Sequence, residues 1–205
     1  MRGRLRGVKC DLVQSYRRSL LGSKSPQAGE LIYVPTHEVK LFVVGSNGRR
    51  KEAGHLSDPN WQPAVAPIHL VPKIQSCIDH WKHGVPWSCT FAYQRMLWQI
   101  QQKGVQDDCR NLRDVIERYE RLDEIFEQVA REGQLRPAGS AFSREHLRSG
   151  IILHFDRSAQ PLFGLGGCHR FAMALVLELP EIPALLGRVH PAAAKAIDRF
   201  RREEA

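Results

Sequence analysis

The sequence predicts an α+β fold, a small mixed sheet packed by helices, and three observations carry that reading. Ile151 to Val189 alternates strand-like and helix-like runs around a glycine turn. Leu112 to Arg131 bears one apolar stripe at helical spacing, from Val115 through Tyr119, Leu122 and Phe126 to Val129. Leu31 to Val44 holds two short β-branched and aromatic runs. With 205 residues, 42% hydrophobic and 25% charged, the chain has the size and composition of one globular domain.

In chain order, Val8 to Leu21 reads as a helix with Leu12, Val13, Tyr16 and Leu20 on one side. Met1 to Lys24 carries Arg2, Arg4, Arg6, Lys9, Arg17, Arg18 and Lys24 against the single acid Asp11, most of the net charge of +8. Such a basic segment suits a nucleic acid, an anionic surface or an organellar transit signal, and equally a solvated surface helix. No apolar stretch follows Met1 as a secretory signal requires, and runs such as Phe171 to Leu177 are too short to span a bilayer. The expectation is a cytoplasmic protein with no membrane partner. Five scattered cysteines, Cys10, Cys77, Cys89, Cys109 and Cys168, are an odd number and point to reduced thiols rather than a disulfide framework.

Leu31 to Val34 and Val39 to Val44 are predicted strands, and Gly45 to Pro67, rich in Gly, Pro, Asn and Ser, a long surface loop. Ile68 to Val71 reads as another strand. Lys73 to Trp81 reads as a helix opened by Pro72 and stopped by Gly84, and Phe91 to Gln102 as a further helix ended by Gly104. Asn111 is a good N-cap for the long helix, and Gly133 a good stop. Then follow a strand at Ile151 to Phe155, a turn at Asp156 to Gln160, and a strand at Pro161 to Phe163. A helix from Cys168 to Leu179, a strand from Ile182 to Val189 and a final helix from Pro191 to Arg202 complete the chain. No linker marks two independent domains. Residues 1–111 read as an N-terminal elaboration, with a basic helix, short strands and a helical insertion, packed on a core of residues 112–205.

The chemistry concentrates at Gly166-Gly167-Cys168-His169-Arg170. Glycines free the backbone and let a ligand approach closely. The first amides of a helix lack internal partners and carry positive partial charge, so a glycine turn feeding a helix is a ready anion site. His169 and Arg170 add side-chain donors, and a thiolate at Cys168 gains from the helix start and from Arg170. The competing reading is a tight strand-to-helix turn holding a buried cysteine.

Other features carry weaker signals. Cys77, His80, His83 and Cys89 are four zinc-type ligands, but residues three apart drift round a helix, and packing plus surface histidines is the favoured reading. Trp81, Trp87, Phe91, Tyr93 and Trp98 lie beside Lys82, His83 and Arg95, a pattern for base stacking or, more often, for core. Arg110 either reaches the same anion or caps a surface. His154 reads equally as a ligand and as a satisfied core histidine.

The stretch Phe163-Gly164-Leu165-Gly166-Gly167-Cys168-His169-Arg170-Phe171-Ala172 resembles the phosphate-binding stretch of the ParB/sulfiredoxin superfamily. Leu122 to Gly133 with Pro137, and Glu181-Ile182-Pro183-Ala184, resemble its helix and its returning strand. The whole chain resembles an uncharacterised group with a ParB-like nuclease domain, through Glu30 to Val34, Cys77 to Trp81, Gly84 to Trp87, Asp108 to Arg110 and Gly187 to Pro191. Nuclease chemistry would call for an acidic metal cluster, and the sequence shows no local one. Sulfiredoxins carry Phe-Gly-Gly-Cys-His-Arg here and use ATP as phosphoryl donor. By that resemblance Cys168 is the catalytic thiol, and His169 and Arg170 hold phosphates. The helix positions that supply a lysine and two hydroxyls to the nucleotide fall on Arg121, Glu124 and Gln128. In chromosome-partitioning ParB proteins the turn binds CTP as Gly-Glu-Arg-Arg, whose glutamate falls on Cys168. Other superfamily members are small-molecule kinases with a glutamate base, a role for which Glu124 is the candidate.

The resemblance thus implies a ParB/sulfiredoxin-like fold with a helical N-terminal elaboration. It implies a nucleoside triphosphate, ATP or CTP, with magnesium, or another phosphorylated small molecule. The implied site is Gly166, Gly167, His169, Arg170, Arg121 and Arg110 for the phosphates, with Cys168 and Glu124 for chemistry. The activity expected is that of a phosphotransferase or nucleotide hydrolase. The alternatives are an ATP-dependent thiol reductase using Cys168, and a DNA-binding or adaptor protein using the basic N-terminal helix.

Overall fold

The computed structural model describes residues 25–27, 29–45, 53–137 and 150–202. The basic N-terminal helix expected from Val8 to Leu21 lies outside the described residues. The fold is α+β. Its strands are β1 (Leu31–Pro35), β2 (Leu41–Val43), β3 (Val65–Pro67), β4 (Ile151–Phe155), β5 (Pro161–Phe163) and β6 (Glu181–Val189). They form one mixed sheet in the order β1-β6-β4-β5-β2-β3. β4 runs parallel to β6, and β2 parallel to β5, while the other neighbours are antiparallel. No break in the sheet falls at residue 111, because the first part of the chain supplies both edge strands.

Four α-helices accompany the sheet among the described residues: α1 (Pro72–His83), α2 (Phe91–Lys103), α3 (Leu112–Glu132) and α4 (Cys168–Val176). Their punctuation is local. Pro72 opens α1, and Gly84 closes it in a left-handed conformation. The Asn111 side chain accepts from the Asp114 amide at 3.0 Å, and Asp114 in turn accepts from the Arg110 amide at 2.7 Å. α1 and α4 lie against the sheet face made by Ile151, Leu153, Phe163, Ala184 and Leu186, with Ile74, Cys77, Phe171 and Ala174 buried between. Phe163 and Phe171 stack there at 4.8 Å. Burying such side chains contributes about 1.5–3 kcal/mol each. The opposite face carries Ile152, His154, Leu162 and Leu185, also buried.

Four predicted elements differ, each for a physical reason. Ile68–Leu70 is a 3₁₀ turn rather than a strand, its closing bond running from the Val71 amide to the Ile68 carbonyl. The loop predicted from Gly45 to Pro67 ends in β3, which pairs with β2. α4 stops short of Leu179 because Glu178 turns left-handed at φ 51. The Leu179 and Glu178 amides then return to the Ala174 and Leu175 carbonyls, a Schellman closure. The final helix is replaced by the 3₁₀ turns Pro191–Ala193 and Ala196–Phe200. The buried residues Ala194, between the two turns, and Ile197 and Phe200, in the second, recur every third position, the period of a 3₁₀ helix.

His154 is a satisfied core histidine. The register between β4 and β6 shifts after Leu153, leaving Gly187 and Arg188 opposite it. Its Nδ1 accepts the Arg188 backbone N–H at 2.8 Å, so the ring is neutral with its proton on Nε2. A Cβ at Gly187 would lie 2.4 Å from that Nδ1, which leaves room only for glycine.

Candidate functional site

The glycine turn joins β5 to α4. Leu165 and Gly167 are both left-handed, at φ 61 and φ 69. A Cβ on Gly166 would meet the Ile152 side chain at 2.7 Å. One on Gly167 would meet the backbone of Gly150 and Ile151 at 2.8 Å. Packing against the start of β4 therefore accounts for both glycines without a ligand.

Beside the turn lies a cavity of about 380 Å³. Leu165 and Cys168 of the turn form one wall, and Val71, Pro72 and Lys73 at the start of α1 another. α2 contributes Phe91, Arg95, Met96 and Gln99, and the turn before α3 contributes Gln106 and Asp107. Two helices, α1 and α4, thus begin at its edge, where their first amides have no intrahelical partners. Among the described residues the cavity lining holds two cations, Lys73 and Arg95, and one carboxylate, Asp107. The Asp107 Oδ2 stands 3.7 Å from Lys73 Nζ and 3.8 Å from Arg118 Nη2.

The Gly-Gly-Cys-His-Arg motif divides three ways. Only Cys168 lines the cavity. Its Sγ lies 3.6 Å from the Leu165 carbonyl, and burial pushes the thiol above its ordinary value despite the opposing pull of Lys73. The stabilised thiolate expected at a helix start is corrected here, because desolvation outweighs the nearby positive charge. His169 turns inward against Tyr119, ring to edge at 6.4 Å. Burial, aided by Lys73 and Arg118, pushes its pKa down to about 3, so it is neutral. Among the described residues nothing partners its Nε2 or the Tyr119 hydroxyl. Arg170 is directed elsewhere and donates to the Arg136 carbonyl beyond the end of α3. Burial lowers its pKa to about 10, still charged at neutral pH.

The residues expected from the long helix are not brought to the turn. Glu124 and Arg121 are exposed, and Glu124 falls half a turn from the buried Val115, on the solvent side. The face of α3 that meets α4 carries Tyr119 instead. Arg110 is exposed, and its contribution is a backbone N–H to the Asp114 cap. None of the three lines the cavity.

The cysteine and histidine series in α1 does not converge. Cys77 is buried in the core and Cys89 is exposed. His80 places Nδ1 2.7 Å from the Val85 carbonyl and Nε2 3.2 Å from Asp123 Oδ1. Of the nearby aromatics, Trp87 and Tyr93 are buried and Trp81 is partly so, whereas Phe91 and Trp98 are exposed. Trp81 and Trp87 donate their indole N–H groups to Asp123, Trp87 stacks on His80 at 4.1 Å, and Trp81 stacks on Phe126 at 4.7 Å. No helix among the described residues is long and apolar enough to cross a membrane.

Sequence reasoning passed over Lys73 and Asp107, and placed Arg95 beside an aromatic stretch rather than at a phosphate site. One signal was present. A lysine directly after a helix-opening proline opposes the helix dipole, and a residue that breaks a local rule marks a functional place. The Asp107-Asp108 pair carried no such sign, yet both are left-handed, at φ 48 and φ 68. No protein-family model matches the chain, and comparison with curated proteins and with solved structures gives no match either.

Proposed function

We propose that this protein binds a phosphorylated small molecule of the nucleotide class in the cavity between the glycine turn and the start of α1. One observation carries the reading. Two helices begin at the edge of a single cavity that also holds Lys73 and Arg95, a concentration of positive charge and unpaired donors suited to a phosphate. Phe91 and Phe42 supply flat apolar surface for the rest of the ligand. The resemblance of the turn to the ParB/sulfiredoxin superfamily supports the same ligand class. It does not extend to the superfamily's contacts, since the phosphate contact falls to Lys73 rather than to Arg170 or Arg121.

Phosphoryl transfer or nucleotide hydrolysis remains the activity this site would serve. The thiol-reductase alternative draws on the place of Cys168 in the cavity wall, but a thiol kept protonated by burial is a weak nucleophile. The test is amide NMR of isotope-labelled protein titrated with nucleotides and magnesium. The expected result is saturable shifts at Lys73, Cys168 and His169, with affinity weakened about ten-fold or more in Lys73→Met. Folded protein that shows no shift at these amides with any nucleotide overturns the proposal.

A further inference from the structure

Among the described residues Asp107 is the one acid in the cavity wall, and its position is fixed by the backbone. Gln106 and Cys109 exchange N–H···O bonds at 2.9 and 3.0 Å across a two-residue turn. Asp107 and Asp108, both left-handed, make up that turn, in the pattern of a type I′ hairpin turn. Aspartate is among the few non-glycine residues that adopt this conformation readily, so the turn suits its sequence. The Gln106 side-chain amide donates to Asp107 Oδ1 at 2.8 Å, while Oδ2 faces Lys73 and Arg118. The carboxylate is thus aimed into the cavity by a tight turn.

Resting on the phosphate-binding reading above, we infer that Asp107 sets the charge of the ligand and restricts the cavity to phosphomonoesters, against di- and triphosphates. Two observations converge on this. Among the described residues the cavity walls offer Lys73 and Arg95 against Asp107, a set that suits a single phosphate group. A triphosphate chain would bring several further negative charges against the fixed carboxylate. In addition, about 380 Å³ lies at the lower end of the range for ligand sites, enough for a nucleoside monophosphate or a smaller phosphate ester. Asp107 is also a poor seat for the magnesium ion that would offset a triphosphate, because two cations already stand within 4.0 Å of it.

Calorimetry on the full chain decides the matter, using the mono- and triphosphates of adenosine, cytidine and guanosine, with and without magnesium. Salt at about 0.15 M suppresses diffuse binding to the basic N-terminal segment, and Lys73→Met gives the background. For whichever base binds, the monophosphate is expected to be tighter than the triphosphate by about ten-fold or more. Asp107→Asn is expected to narrow that gap by strengthening the triphosphate. A triphosphate that binds wild-type protein as tightly as its monophosphate overturns the inference and leaves the phosphate site standing, and this measurement needs no variant. A folded Asp107→Asn with an unchanged ratio, or with weaker magnesium–triphosphate binding, also overturns it. Absence of binding by every nucleotide overturns both this inference and the reading it rests on.

Discussion

Trp87 donates its indole N–H to both carboxylate oxygens of Asp123, at 3.0 Å each, and Trp81 donates to the same group at 2.8 Å. Asp123 therefore ties α3 to the end of α1 and to the segment that follows it. Asp123→Ala leaves two indole donors without their acceptor and is expected to cost about 2–3 kcal/mol. Urea unfolding of the variant measures this. A loss within experimental error of zero shows that water replaces the carboxylate without penalty.

Stability should depend on pH through the two neutral histidines. Burial, then Arg188, pushes His154 down to about 4, and burial, then Lys73 and Arg118, pushes His169 down to about 3. Both values lie below the ordinary 6.5, so as pH falls the unfolded chain takes up protons first. The stability they contribute is complete above about pH 6.5 and declines from there toward the folded values. Each fully engaged histidine adds a slope of about 1.4 kcal/mol per pH unit. His154→Asn keeps an acceptor for the Arg188 amide and removes one titration, so its unfolding free energy between about pH 7 and about pH 5 should vary less. An unchanged slope removes His154 from the explanation.

Gly167→Ala tests the turn as a packed object. The new methyl group meets the Gly150 and Ile151 backbone at 2.8 Å, in a left-handed conformation that alanine resists. The expected loss is roughly 2 kcal/mol or more, read as a fall in thermal midpoint. A variant as stable as wild type shows that the start of β4 yields to the turn.

Thiol reactivity separates the readings of Cys168. Burial raises the pKa of Cys77, Cys109 and Cys168, whereas Cys89 is exposed. Among these four thiols, limited alkylation at about pH 7 followed by peptide mass mapping should label Cys89 first. Faster labelling of Cys168 favours the thiol-reductase chemistry over a passive wall.

How legible each part is in the sequence follows from how local its cause is. α1 and α3 are legible because Pro72, Gly84, Asn111 and Gly133 act on their immediate neighbours. The last segment is not, since the burial of Ala194, Ile197 and Phe200 against distant strands selects a three-residue period that an alanine-rich stretch does not announce. The glycine turn and Cys168 stand out as a compact motif. Lys73, Arg95 and Asp107 do not, because three separate elements bring them together. The position of Glu124 is legible in the sequence. The apolar stripe from Val115 to Val129 already puts it on the far side of α3.

The strand order has a consequence for how the chain is made. Among the described residues β1 finds its sole strand neighbour in β6, with Leu31 opposite Leu185, and β2 waits for β5, with Leu41 opposite Leu162. During synthesis the first strands emerge long before their partners exist, and only the β2–β3 pairing closes early. Such distant pairings slow folding and leave unpaired edges open meanwhile. The nascent protein is therefore most vulnerable to aggregation while α1 to α3 are being translated. β5 and then β6 end that interval, β5 by pairing with β2 and β6 by filling the place between β4 and β1.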